Sequence, residues 1–297
     1  VLPLGNSCVI ANNGGPLGDL TVKVGIDTRI FKSRPLDEAL KIISRLFSIV
    51  EICASHIRGE SSRRGITLRE LARNVRLLCK DLGVEVAQIH APYGELDEML
   101  ANPEARDRGL EVVLSYVELC SAVECPVLVM HVPLRKLRLD ESYVDYTEHL
   151  RESTRYVIRR LDRELSKYGV KIAFENRLEQ VFGSSPRDVV LLVEEEGAEN
   201  FGLCLDTGHA NVNKLDPALV VEKYGRYIIA THIHDNDGTQ DRHAPPLTGS
   251  ISWRRFIQAV QKYCPHVPLI LEVEAPESCA ENVLELCKLV MDYLLRG

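Results

Sequence analysis

Residues 169–176 read Gly-Val-Lys-Ile-Ala-Phe-Glu-Asn, and residues 201–209 read Phe-Gly-Leu-Cys-Leu-Asp-Thr-Gly-His. Between them, 186–197 carries apolar residues at helical spacing. Each quoted run is short, nearly continuous in apolar residues, and carries an acid near its end. Continuous apolar runs suit strands covered on both faces, as in a parallel sheet, and strand–helix–strand is the unit that builds one.

The same alternation extends in both directions. Strands are predicted at 22–28, 50–55, 84–92, 126–132, 170–176, 201–210, 228–235 and 268–274. Helices are predicted at about 35–47, 67–82, 103–123, 142–168, 186–197, 216–224, 253–264 and 281–295. Eight strictly alternating pairs predict a closed barrel, a (β/α)8 TIM barrel of the α/β class. It would form a single domain over 22–297, with 1–21 as an N-terminal arm. Gly83 and Gly169 stand where helix C-caps belong, and Thr67 with Glu70 has capping-box spacing. The longest loop is 237–252.

Composition narrows the class of protein. The 297 residues, 45% hydrophobic and 27% charged, are those of a globular chain large enough for such a barrel. Residues 1–20 hold Gly, Asn and Pro but neither a basic start nor a long apolar stretch, so a loose arm is expected there rather than a secretory signal. No apolar run approaches the length that spans a bilayer. A net charge of -7 argues against bulk, sequence-independent binding to nucleic acid. The nine cysteines are scattered, with no C-x-x-C pair. They are expected as buried free thiols in a reducing, cytoplasmic compartment.

Metal-capable side chains collect at strand ends. His90, His131, Glu175, Asp206, His232 and Glu272 fall near the ends of the third to eighth strands, His209 just beyond the sixth, and Asp241 and His243 in the loop after the seventh. In a barrel those ends share one rim. Glu175, Asp206 and Glu272 sit in apolar strands, where an unpaired charge costs several kcal/mol. Three such acids at one rim point to a cation. Carboxylate and imidazole donors without thiolate suit Mn, Co, Mg or Zn.

Other polar residues read less sharply. His232 and His234, two apart, point the same way along a strand, so parity admits either as ligand. Asp235, Asn236 and Asp237 read as loop formers and supporting partners, and His149 and His266 as solvated. His56 ends the second strand and could line the mouth. Arg58, Arg63 and Arg64 read as a solvated loop, with an anion clamp at the mouth as the functional reading. Arg242, between Asp241 and His243, is the better substrate candidate.

His-Ala-Pro-Tyr (90–93), Phe-Glu-Asn (174–176), Leu-Asp-Thr-Gly-His (205–209), His-Ile-His-Asp (232–235), Asp-Arg-His (241–243) with Pro245, Pro246 and Gly249, and Glu272 occur in this order. Together they resemble the xylose-isomerase-like TIM-barrel superfamily, which includes sugar and sugar-phosphate isomerases and epimerases and the metal-dependent abasic-site endonucleases. The resemblance to the ketose epimerases implies one divalent metal on Glu175, Asp206, His232 and Glu272, and so selects His232 over His234. It implies proton transfer by Glu175 and Glu272 through an enediolate, with His209, Arg242, His90 and His131 toward substrate. The endonuclease branch implies three zinc ions that also use His90, His131, His209, Asp241 and His243. The wording around Leu-Asp-Thr-Gly-His-Ala-Asn and His-Ile-His-Asp-Asn-Asp-Gly favours the isomerases. So does His131-Val-Pro, where the nucleases usually have Pro-Gly after the His, and no aromatic and basic DNA-inserting loop is evident at 29–35. The expected partner is a sugar or sugar phosphate, with nucleic acid only under the nuclease reading, no membrane, and room for an oligomer.

Overall fold

The computed structural model describes residues 22–296, so the arm expected at 1–21 lies outside the described residues. Eight strands form the barrel: β1 (Val24–Asp27), β2 (Ile49–Ile52), β3 (Glu85–His90), β4 (Val127–His131), β5 (Lys171–Glu175), β6 (Phe201–Asp206), β7 (Ile228–His232) and β8 (Leu269–Leu271). All neighbours run parallel, in the order β7-β6-β5-β4-β3-β2-β1-β8. A parallel bridge from Ile233 to Leu271 links β7 to β8 and closes the ring. The predicted barrel is therefore the observed fold.

Strand parity divides the core in two. Residues two before the rim donors, among them Val129, Ala173, Cys204 and Ala230, form a small cluster on the same strand faces as those donors. The opposite faces join the helices in one large apolar cluster. Two strands break the alternation. Val50 pairs with Val86 but Glu51 pairs with Gln88, leaving Ala87 as an extra residue in β3. Ile229 is the extra residue in β7, between the Leu203–Ile228 and Cys204–Ala230 pairs. Such bulges re-aim the side chains beyond them.

The caps fall where the sequence puts them. Gly83 and Gly169 adopt left-handed φ of 66° after the helices Leu68–Leu82 and Tyr143–Tyr168, and Thr67 and Glu70 form the capping box. Every described cysteine is free, and all but Cys279 are buried.

Three helices correct the expected plan. Glu95–Ala101 precedes Arg106–Val123 as a separate helix. The sixth strand ends at Asp206, whose carboxylate caps the short helix Thr207–Val212. The second strand ends at Ile52, and Ala54–Arg64 is helical rather than a loop. There Arg63 and Arg64 both pair with the buried Glu60, at 2.5 and 2.6 Å, so neither is a free anion clamp. His56 is buried in the same helix, its Nε2 3.2 Å from Phe31 O and 3.1 Å from Arg34 O, so it ties two segments together. Among the described residues no helix is long and apolar enough to cross a membrane.

Candidate metal centre

The strand ends deliver the site. His90, His131, Glu175, Asp206 and His232 are the last residues of β3 to β7, and Glu272 directly follows β8. His209 enters from the helix capped by Asp206, whose Oδ1 accepts its backbone N–H at 2.7 Å. Asp241 and His243 come from the long loop. That loop is pinned by Asp235, which exchanges backbone hydrogen bonds with Ala244 (2.8 and 3.2 Å) and accepts from Gly249 N (2.9 Å) and Trp253 Nε1 (2.7 Å). His243 itself sits at φ 43°, a left-handed conformation uncommon outside glycine.

Two carboxylate oxygens organise the imidazoles. Around Glu175 Oε2 lie His90 Nε2 at 3.2 Å, His232 Nδ1 at 3.3 Å and His131 Nε2 at 3.4 Å. His232 Nδ1 is also 3.5 Å from Glu272 Oε2 and 3.9 Å from Asp206 Oδ2. Around Asp241 Oδ2 lie His243 Nε2 at 3.1 Å and His209 Nε2 at 3.3 Å. Each ring's other nitrogen is held from behind. His90 Nδ1 lies 2.6 Å from Ala91 O, His131 Nδ1 3.2 Å from Asp97 Oδ2, and His232 Nε2 2.9 Å from Glu51 Oε2. His209 Nδ1 lies 2.9 Å from Asn176 O, and His243 Nδ1 3.0 Å from Glu272 O. An imidazole that donates outward presents a lone pair inward, and this is how metal-binding histidines are oriented.

The chemistry of the donor set fits a divalent cation. His232 Nδ1, Glu272 Oε2, His234 Nδ1 and Asp241 Oδ1 are buried without a hydrogen-bond partner, which is costly unless something else satisfies them. Three groups bring their donor atoms within 4.8 Å of one another: Glu175, Asp206, His232 and Glu272; His90, Glu175 and His232; and His234, Asp241 and His243.

Charge follows the same pattern. Burial pushes the Glu175 carboxyl up, but the rings of His232 and His131 outweigh it and hold it well below the usual range. Burial likewise raises Glu272, and the Arg29 guanidinium, with His232, brings it down. Burial opposes protonation of His131, yet the Glu175 charge and the Asp97 bond raise it to about 9. Glu272 and Asp241 do the same for His243, also to about 9. Because both folded values lie above the ordinary 6.5, the stabilisation is complete below about 6.5 and is lost as pH rises through about 9. Urea melts of chelator-treated protein between these limits should fall steadily; flat stability would contradict these pairings.

The remaining expectations divide. Arg242 is exposed and pairs with Asp237 at 2.6 Å. His234 is fully buried, its Nε2 3.1 Å from Asp206 Oδ2 and its ring stacked on His243 at 4.2 Å. His149 is half-buried, with Nε2 2.6 Å from Ala101 O, and so is not solvated as expected; His266 is exposed. Five site residues were not foreseen. Asp27 and Glu51 are fully buried on adjacent strands, and burial together with Glu51 pushes the Asp27 carboxyl well above its ordinary value. Arg29 Nη2 lies 2.7 Å from Glu272 Oε1. Gln88 donates to Glu51 Oε2, and Asp97, held by Arg177 at 3.2 Å, backs His131. A lone acid inside Ile-Val-Glu-Ile (49–52) was the signal available for Glu51.

Residues 45–290 match the family described as the xylose isomerase-like TIM barrel. Over 249 residues the chain is 26% identical to an uncharacterised protein of Methanocaldococcus jannaschii, covering 82% of this chain and 80% of that one. It is 28% identical over 169 residues to a probable L-ribulose-5-phosphate 3-epimerase of Mycoplasma pneumoniae, 54% of each chain. Among solved structures, a D-tagatose 3-epimerase-like protein superposes with a TM-score of 0.76 at 21% identity, covering 92% of this chain and 97% of that one. A D-psicose 3-epimerase crystallised in the presence of D-fructose gives 0.75 at 16% identity, covering 93% and 100%.

Proposed function

We propose, proceeding from the fact that this chain belongs to the xylose isomerase-like TIM-barrel family, that it is a divalent-metal-dependent isomerase or epimerase of sugars or sugar phosphates. The observation that carries the reading is the inward-facing, unpartnered His232 Nδ1 and Glu272 Oε2, set beside Glu175 and Asp206. Glu175, Asp206, His232 and Glu272 would hold Mn, Co or Mg. Such an ion polarises a carbonyl and acidifies the adjacent C–H.

The chain's own groups then move the proton. Glu175 and Glu272 flank His232 from β5 and β8, at 3.3 and 3.5 Å from its Nδ1. One carboxylate takes the proton from the carbon beside the carbonyl, giving an enediolate. The other, or the same one, returns it to the neighbouring carbon or the opposite face. Their environments differ: Arg29 pins one oxygen of Glu272, whereas Glu175 faces imidazoles. His209, His90 and His131 would hold substrate oxygens. Arg242 serves this only if it leaves Asp237. The sugar-epimerase names among the similar proteins agree with this substrate class.

The additional group of His234, Asp241 and His243, with His90 and His131 around Glu175, favours a second reading: phosphodiester hydrolysis at abasic sites with several zinc ions. Elemental analysis of protein purified without chelator separates the two. Near one Mn, Co or Mg per chain, with deuterium from D2O entering a ketose beside its carbonyl, is the expected result. Several zinc ions per chain, with incision of abasic DNA and no such exchange, would overturn it.

A further inference from the structure

We propose that Glu51 is the positioning residue for His232, and that Gln88 locks Glu51 in place; the inference rests on the metal-dependent reading above. Glu51 lies on β2, across the barrel from β7, and is fully buried. His232 Nε2 is 2.9 Å from Glu51 Oε2. Gln88 of β3 donates through Nε2 to that same oxygen and, at 3.2 Å, to the carbonyl of Thr231, the residue before His232. One amide thus fixes both the carboxylate and the backbone that carries the ring. The bulge at Ala87 is what brings Gln88 opposite Glu51.

A proton on Nε2, shared with Glu51, leaves the lone pair on Nδ1. That atom is the one without a hydrogen-bond partner, and it faces Glu175, Glu272 and Asp206. A carboxylate behind an imidazole fixes its tautomer and its orientation and makes it a stronger donor to a metal. A structural role alone gives no reason for a charge: Glu51 Oε1 has no partner, and an uncharged amide would fill the same space without the cost of burying a carboxylate.

The test titrates the full chain, freed of metal, with Co(II) against a chromogenic chelator, comparing wild type with Glu51→Gln. The variant is expected to bind roughly ten- to a hundredfold more weakly, with an altered visible Co(II) spectrum and a metal-free melting temperature that is unchanged or higher. Affinity within twofold and an identical spectrum would overturn the proposal. A wild type that binds no Co(II) would instead overturn the metal-dependent reading itself. Should the variant not fold, long-range 1H–15N NMR of zinc-loaded wild type decides: the ring proton of His232 is expected on Nε2, and a proton on Nδ1 refutes the assignment.

Discussion

Glu175→Gln is expected to lower turnover roughly a thousandfold, within the range that one proton-transfer group supplies. The change is nearly isosteric, so packing is kept while the charge is lost. Four imidazoles depend on that charge: His90, His131 and His232 meet Oε2 within 3.4 Å, and His209 Nδ1 lies 3.3 Å from Oε1. An amide can face them with an oxygen on one side only, and its NH2 on the other can neither accept from a ring N–H nor ligate a cation. Metal affinity should therefore fall with turnover, whereas the melting temperature of the metal-free protein should fall much less. Steady-state rates, chelator competition and a thermal melt on one preparation check all three. Full activity would rule out both enzymatic readings.

Gly208→Ala should be nearly as damaging for a purely steric reason. A Cβ built on Gly208 would lie 1.8 Å from Cε1 and 2.4 Å from Nδ1 of His234. The ring is fully buried, bonded to Asp206 and stacked on His243, so it has no free rotamer to retreat into. Overpacking of this kind costs about 1–3 kcal/mol, which lowers the melting temperature by roughly 1.5–2 °C per kcal/mol in a chain of this size. Displacing His234 also disturbs Asp206, so metal affinity should drop too. The double variant Gly208→Ala with His234→Ala should recover most of the lost stability, because the pair interacts directly. Additive losses would mean that the glycine matters for another reason.

The sequence carried the barrel because its strands are buried on both faces and read as uninterrupted apolar runs. The acids in those runs were legible for the same reason: Glu175 and Glu272 stand out in Ile-Ala-Phe-Glu and Leu-Ile-Leu-Glu. Glu51 stands out equally in Ile-Val-Glu-Ile, yet the second strand was expected to begin at residue 50 and reach 55. That register placed Glu51 at the far end from the rim, whereas the strand stops at Ile52. The short helices Glu95–Ala101 and Thr207–Val212 have too few turns to show a period of their own. The helix Ala54–Arg64 was hidden differently: its polar run Gly-Glu-Ser-Ser-Arg-Arg (59–64) resembles a loop, and only its first turn is buried alongside Glu60. The outward bonds of the histidines, to Ala91 O, Asn176 O and Glu272 O, depend on backbone carbonyls that no side-chain pattern encodes.

The extra residue in β3 sets the phase of everything downstream of it. Val86 and Ile89, three apart, both pack in the large outer cluster, where unbroken alternation would send one inward and one outward. The lower half of the strand thus keeps time with the barrel wall, while the upper half, with Gln88 and His90, keeps time with the donors. A scaffold with such a phase shift can hold its wall constant and still choose which residues reach the rim.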